Sequence, residues 1–140
     1  MDEKNSNTDE WYIKGVNLIE MEKYEEAIKW FDKVLDIDQK DKDVWFNKGI
    51  VLASLERYKE SIHCFEEVLD IDPRYENAYY RLALAWDELG LIELAINYYD
   101  KTLKINPKHE DAWIDKGIFN QKYKTHGINY LKIHIIYKRW

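Results

Sequence analysis

The sequence predicts an all-α solenoid of stacked antiparallel helical hairpins, and three observations carry that expectation. First, similar residues recur with a period of 34: Trp11, Trp45, Tyr79 and Trp113 form one column, and Gly15, Gly49, Ala83 and Gly117 form a second, four residues later. Second, each period holds two amphipathic segments of about a dozen residues with apolar side chains at helical spacing. Third, Gly and Pro total only 7 of 140 residues, too few for a β-sandwich punctuated by turns or for a disordered chain.

The columns justify the elements in order. Glu10 to Met21 and Tyr24 to Ile37 are the two helices of the first copy. Leu18, Leu52 and Trp86 share one position, Ala27, Ser61 and Ala95 another, and Phe31, Phe65 and Tyr99 a third. The small residue of the second column lies inside a helix, where glycine costs about 1 kcal/mol relative to alanine, so a partner helix is expected to approach closely there. The aromatic column fills space between hairpins. Pro73 and Pro107 separate copies, with Gln39 at the corresponding place in the first. A single hairpin cannot bury its apolar face, so the copies must stack. The expected division is a disordered N-terminus at 1–7, repeats at 8–41, 42–75 and 76–109, and a degenerate fourth copy with a basic capping segment at 110–140.

Those residues resemble the tetratricopeptide repeat family: W-x-x-K-G-x-x-L at Trp11 to Leu18, A-x-x-x-F at Ala27 to Phe31, and Pro73 and Pro107 twelve residues after Ser61 and Ala95. The resemblance implies a right-handed superhelix that binds protein. Lys14, Lys48 and Lys116 stand where the family often has Leu, which only Leu82 keeps. Their stems are expected to lie on apolar surface with the ammonium in water. In the fourth copy, Gly127 to Leu131 aligns with Ala95 to Tyr99 only after a two-residue gap.

Composition narrows the function classes. A net charge of −6 disfavours broad capture of nucleic acid or an anionic membrane. The polar start MDEKNSNTDE and the single Cys64 point to a cytoplasmic protein with no internal disulfide. No enzyme is expected. His63 and Cys64 are adjacent and diverge on a helix, and His126 and His134 are eight apart, so neither pair suggests a metal site. There is no glycine-rich phosphate loop or nucleophile signature, and Glu25/Glu26 and Glu66/Glu67 read as a solvated outer face. No cofactor is expected.

Protein binding remains. In the family resemblance the first helix of each hairpin lines the concave face. The corresponding rows here are Tyr12, Phe46, Tyr80 and Ile114, then Val16, Ile50, Leu84 and Ile118, all apolar and expected to form an exposed strip. The alternative is that the second row packs inside the hairpins. Asp9, Asp43, Asp111, Asp115, Glu20, Asp87 and Glu88 surround the rows against Arg81, so the face should prefer basic-apolar segments. The family's clamp for carboxylate-ended chaperone tails is not expected. Asn47 and Arg81 match it, but Tyr12, Val16 and Asn77 occupy its other three places.

The last twenty residues hold Lys122, Lys124, Lys132, Lys138 and Arg139 with no acid, so the total of −6 divides into +5 there and −11 in the rest. Interleaved Tyr and Ile residues make a cap on the solenoid the first expectation. Weak self-association, with this segment in the acidic face of a second copy, is another, and an altered end of a longer array from residue 118 is a third.

Overall fold

A computed structural model of the chain describes residues 3–124. These form seven α-helices: α1 Glu3–Glu20, α2 Tyr24–Ile37, α3 Lys42–Ser54, α4 Tyr58–Ile71, α5 Glu76–Glu88, α6 Ile92–Ile105 and α7 Glu110–Lys124. Successive pairs form three hairpins, and α7 stacks behind the third as the first helix of a fourth. The helix α1 starts well before residue 8, unlike the disordered segment expected there. Once its amphipathic part is nucleated, each upstream residue adds a hydrogen bond at little further entropic cost. The second helix expected for the fourth copy lies outside the described residues.

Each hairpin turn closes in the same way. The amides of Lys23, Arg57 and Leu91 donate to the carbonyls of Leu18, Leu52 and Trp86, each at 2.9 Å, and those of Glu22, Glu56 and Gly90 donate to Ile19, Ala53 and Asp87, also at 2.9 Å. This Schellman geometry requires a left-handed residue after the helix. Glu22 and Glu56 both supply it at φ 58°, Gly90 at φ 74°.

The turns between hairpins repeat as well. Asp38, Asp72 and Asn106 accept the amides two residues on, at 3.0, 3.1 and 3.0 Å. The aromatic column then fastens the turn to the next helix. Trp45 donates from its indole to the Gln39 carbonyl at 2.8 Å, the Tyr79 hydroxyl to Pro73 at 3.0 Å, and the Trp113 indole to Pro107 at 2.7 Å. Because the carbonyl is the acceptor, Gln39 serves as well as proline.

The core lies between paired helices and between hairpins. Ala27, Phe31, Val44, Val51, Phe65, Val68, Ala78, Leu82, Ala83 and Ala95 are fully buried. The close approach expected at the small column is present: a Cβ on Gly15 would lie 2.5 Å from Phe31 Cε1, and one on Gly49 would lie 2.6 Å from Phe65 Cε1. Among the described residues, a Cβ on Gly117 would meet no side chain or other helix within 4 Å.

The lysines at the family's leucine position use their ammonium groups in ion pairs. Lys48 pairs with Asp32 and Lys116 with Asp100, each at 2.6 Å, reaching back to the second helix of the preceding hairpin. The reason is the acid that each second helix offers at that register. Lys14, in the first hairpin, pairs with Glu10 on its own helix at 3.3 Å.

Candidate peptide-binding face

The first helices of successive hairpins touch, α1 with α3 and α3 with α5, while a groove of about 1000 Å³ opens between α2 and α4. The first helices therefore line the inner side of the array.

On that side the expected strip is divided. Six of its eight residues are half-buried, and Ile114 and Ile118 are exposed, at 59% and 61% of full exposure. Tyr12 lies on Phe31 with ring centres 6.2 Å apart, Phe46 lies between Phe65 (5.7 Å) and Tyr75 (5.1 Å), and Tyr80 between Tyr99 (6.4 Å) and His109 (4.9 Å). Val16, Ile50 and Leu84 pack against the hairpin cores. The expectation of eight free apolar side chains is thus corrected: each hairpin uses these residues first to cover its own buried ring.

The first row is also joined to the next hairpin at two places. The Asn47 amide donates to the Tyr12 hydroxyl at 2.8 Å, and the Tyr80 hydroxyl donates to Asp115; both links span 35 residues. Phe46 has no hydroxyl to offer Arg81 at the intervening junction. Burial first, then the Asp115 carboxylate, raises the Tyr80 phenol above its ordinary range, and burial likewise raises Tyr12. Both are neutral donors or acceptors at ordinary pH.

Two recesses remain. Between α3 and α5, Ile50, Phe65, Leu84, Arg81 and Glu88 share a pocket of about 250 Å³. Nearer the N-terminal end, Asp9, Tyr12, Asp41 and Asp43 surround one of about 220 Å³. The structure therefore brings together Ile50, Leu84, Arg81 and Glu88, and separately Asp9, Tyr12 and Asp43. Asp111 and Ile114 are exposed on α7 and join neither pocket. Of the seven acids expected around the rows, Asp115 is engaged by Tyr80 and Asp87 approaches Lys122 at 3.5 Å. Sequence reasoning missed Asp41, whose carboxylate also caps α3 by accepting the Val44 amide at 3.2 Å. Its place at a helix start was the available signal.

Among the described residues, no helix is long and apolar enough to cross a membrane, and no group of three or more His, Cys, Asp or Glu side chains could hold a metal. Burial pushes the Cys64 thiol up to about 12, which leaves it protonated and unreactive.

No curated protein matches the sequence at a significant level. Among solved structures, the first TPR of Spaghetti (RPAP3), bound to the HSP90 peptide SRMEEVD, superposes with a TM-score of 0.80 at 21% identity, over 85% of this chain and 94% of that one. YrrB, a TPR protein with an unusual peptide-binding site, gives 0.76 at 25% identity over 79% of this chain and 57% of its own. A MamA fragment from Desulfovibrio magneticus RS-1 gives 0.78 at 26% identity, covering 94% and 76%. Family profiles of the tetratricopeptide repeat match residues 8–41, 43–75 and 76–109, and with hairpins, turns and small-residue packing all following that repeat, the chain belongs to the tetratricopeptide repeat family.

Proposed function

We propose that the chain is a non-catalytic adaptor whose first helices hold a protein or peptide segment bearing Lys or Arg beside large apolar side chains. The observation that supports this most is the pocket between α3 and α5, where Ile50 and Leu84 form an apolar floor beside Glu88 and Arg81. The acidic recess around Tyr12 adds a second point for a cation. Apolar anchors then supply most of the affinity, and the acids select sign and speed encounter.

RPAP3 and YrrB are described with peptides or a peptide-binding site, which supports the binding class. The acidic tail seen with RPAP3 is a poor match for this face. Asn47 is engaged by Tyr12, Asn77 contacts His109 at 3.1 Å, and Arg81 shares its pocket with the Glu88 carboxylate.

Calorimetry with a Lys-bearing apolar peptide and its Lys-to-Glu version tests the reading. The first should bind at least tenfold more tightly, and Leu84→Asp should abolish binding while Arg81→Ala changes it little. Equal affinity for both peptides would remove the charge preference.

A second reading is supported by α7, where Trp113, Ile114 and Ile118 are exposed at 53%, 59% and 61%. With the +5 segment that follows, this end could join two copies. Sedimentation at low salt should then show association that weakens as the Debye length shortens; a monomer at high concentration would end that reading.

A further inference from the structure

The first and third hairpins cover the aromatic ring of their first helix with a lysine from their second. In the first, Lys33 lies over Trp11 at 5.4 Å and over Trp30 at 4.4 Å from the ring centres. In the third, Lys101 lies over Tyr79 at 6.0 Å and Tyr98 at 4.8 Å, and the two tyrosines stack at 6.3 Å. The corresponding positions of the second hairpin are Glu67 and Cys64. There Trp45 receives the edge of the His63 ring from α4 rather than a stacked ring and a lysine, and an acid takes the lysine's place.

That is where the surface opens. The groove of about 1000 Å³ between α2 and α4 contains Trp45, with Leu35 and Ile71 adding apolar surface and Asp36, Glu67 and Asp70 supplying carboxylates. Lys48, from α3 itself, lies over the indole at 5.5 Å from the ring centre, with its ammonium paired to Asp32 at 2.6 Å, so the ring carries one cation from its own helix and lacks the one from α4. His63 meets the ring edge-on at 5.9 Å and lies 3.8 Å from Glu67. Counting Asp32 and the remaining Lys40, the groove has four acids to two lysines.

We propose that this groove is a second ligand site, on the side of the second helices, for a Lys or Arg side chain of a partner peptide. The cation sits over Trp45, where Lys33 and Lys101 sit in the neighbouring hairpins, and pairs with Glu67 and Asp70. An apolar neighbour in the peptide rests on Ile71. Indole is the strongest cation–π partner among the aromatic side chains, and the acid rim matches the ligand's charge. The site shares no residue with the inner pockets and stands or falls without them.

The test follows the Trp45 indole N–H resonance of the full chain, assigned with Trp45→Phe, during titration with a short Leu-Lys-Leu-type peptide. A norleucine version keeps the stem and removes the charge. The lysine peptide should shift Trp45 and the Asp70 amide, and the norleucine peptide should bind at least tenfold more weakly. Glu67→Lys restores the residue type of the first and third hairpins, so the variant should fold with an unchanged melt, and its own ammonium should reduce binding at Trp45 at least tenfold. Shifts at Leu84 on the inner face should be the same in both proteins, which separates failure here from failure of the inner site. No shift at Trp45 up to millimolar peptide, equal shifts with both peptides, or unaltered binding in Glu67→Lys would each overturn the proposal.

Discussion

The second and third hairpins share a backbone plan and differ in what fills it. In the second, α3 meets α4 through Phe46 and Phe65 with Gly49 beneath the Phe65 ring; in the third, Tyr80 and Tyr99 meet and the glycine's place is taken by a fully buried alanine, Ala83. Glu56 makes one left-handed turn and Gly90 the other. Lys48 reaches back to Asp32, whereas Leu82 is buried. A column of the repeat therefore specifies a volume and a backbone angle, and different chemistry can satisfy both. The two hairpins should accordingly fail under different perturbations.

The largest effect expected is common to both. Phe65 and Tyr99 are buried to within 1% of completely, so Phe65→Ala and Tyr99→Ala should each cost about 3–5 kcal/mol in thermal or urea unfolding. A clear inequality would show that one hairpin relaxes around the cavity.

Next comes the small column, which should divide them. Gly49→Ala drives a methyl into Phe65 and should cost about 1–3 kcal/mol, despite the better helix propensity of alanine. Ala83→Gly should cost about 1 kcal/mol through propensity. A neutral Gly49→Ala would mean that ring contact is not why glycine stands there. Gly117→Ala sharpens the point: among the described residues the added methyl would meet nothing within 4 Å, so it should stabilise α7 by up to about 1 kcal/mol. A loss like that of Gly49→Ala would reveal a partner from residues 125–140.

Alkali should weigh most on the third hairpin, although burial also raises the phenols of Tyr12, Tyr58 and Tyr75. Burial raises the phenols of Tyr80, Tyr98 and Tyr99 above their ordinary value. A raised folded pKa means that this stability is complete below about pH 10 and is lost as the pH climbs through the folded values. Tyrosinate absorbance and helical circular dichroism should change together above that point. Tyr99→Phe should move the midpoint upward, and an unmoved midpoint would place the alkaline weakness elsewhere.

The smallest effect is at the turns. Glu56→Gly should stabilise by about 0.5 kcal/mol, because glycine adopts the left-handed angle without strain but loses more entropy on folding. Gly90→Ala should destabilise by about 1 kcal/mol. Melts of the two variants should move in opposite directions.

Helix, hairpin and stacking order were legible because a period of 34 with two helical apolar stripes leaves few other ways to bury Phe31, Phe65 and Tyr99. The small column was legible for the same reason, since a glycine within a helix needs a neighbour to explain it. The candidate face was only partly so. That Tyr12, Phe46 and Tyr80 lie on the first helices follows from their spacing, but not that Asn47 engages Tyr12 or that Asp115 engages Tyr80. Likewise Lys48 and Lys116 are visible as departures from the family, while Asp32 and Asp100, sixteen residues earlier, become their partners only when one hairpin is set against the next. The sequence by itself determined the elements, their register and the net acidity of the chain, all of which depend on spacing along one strand of covalent bonds. Which side chains remain available to a ligand was decided by the tertiary structure alone, because it depends on distances of a few ångströms between hairpins, within which a tyrosine or lysine either meets a neighbour or faces solvent.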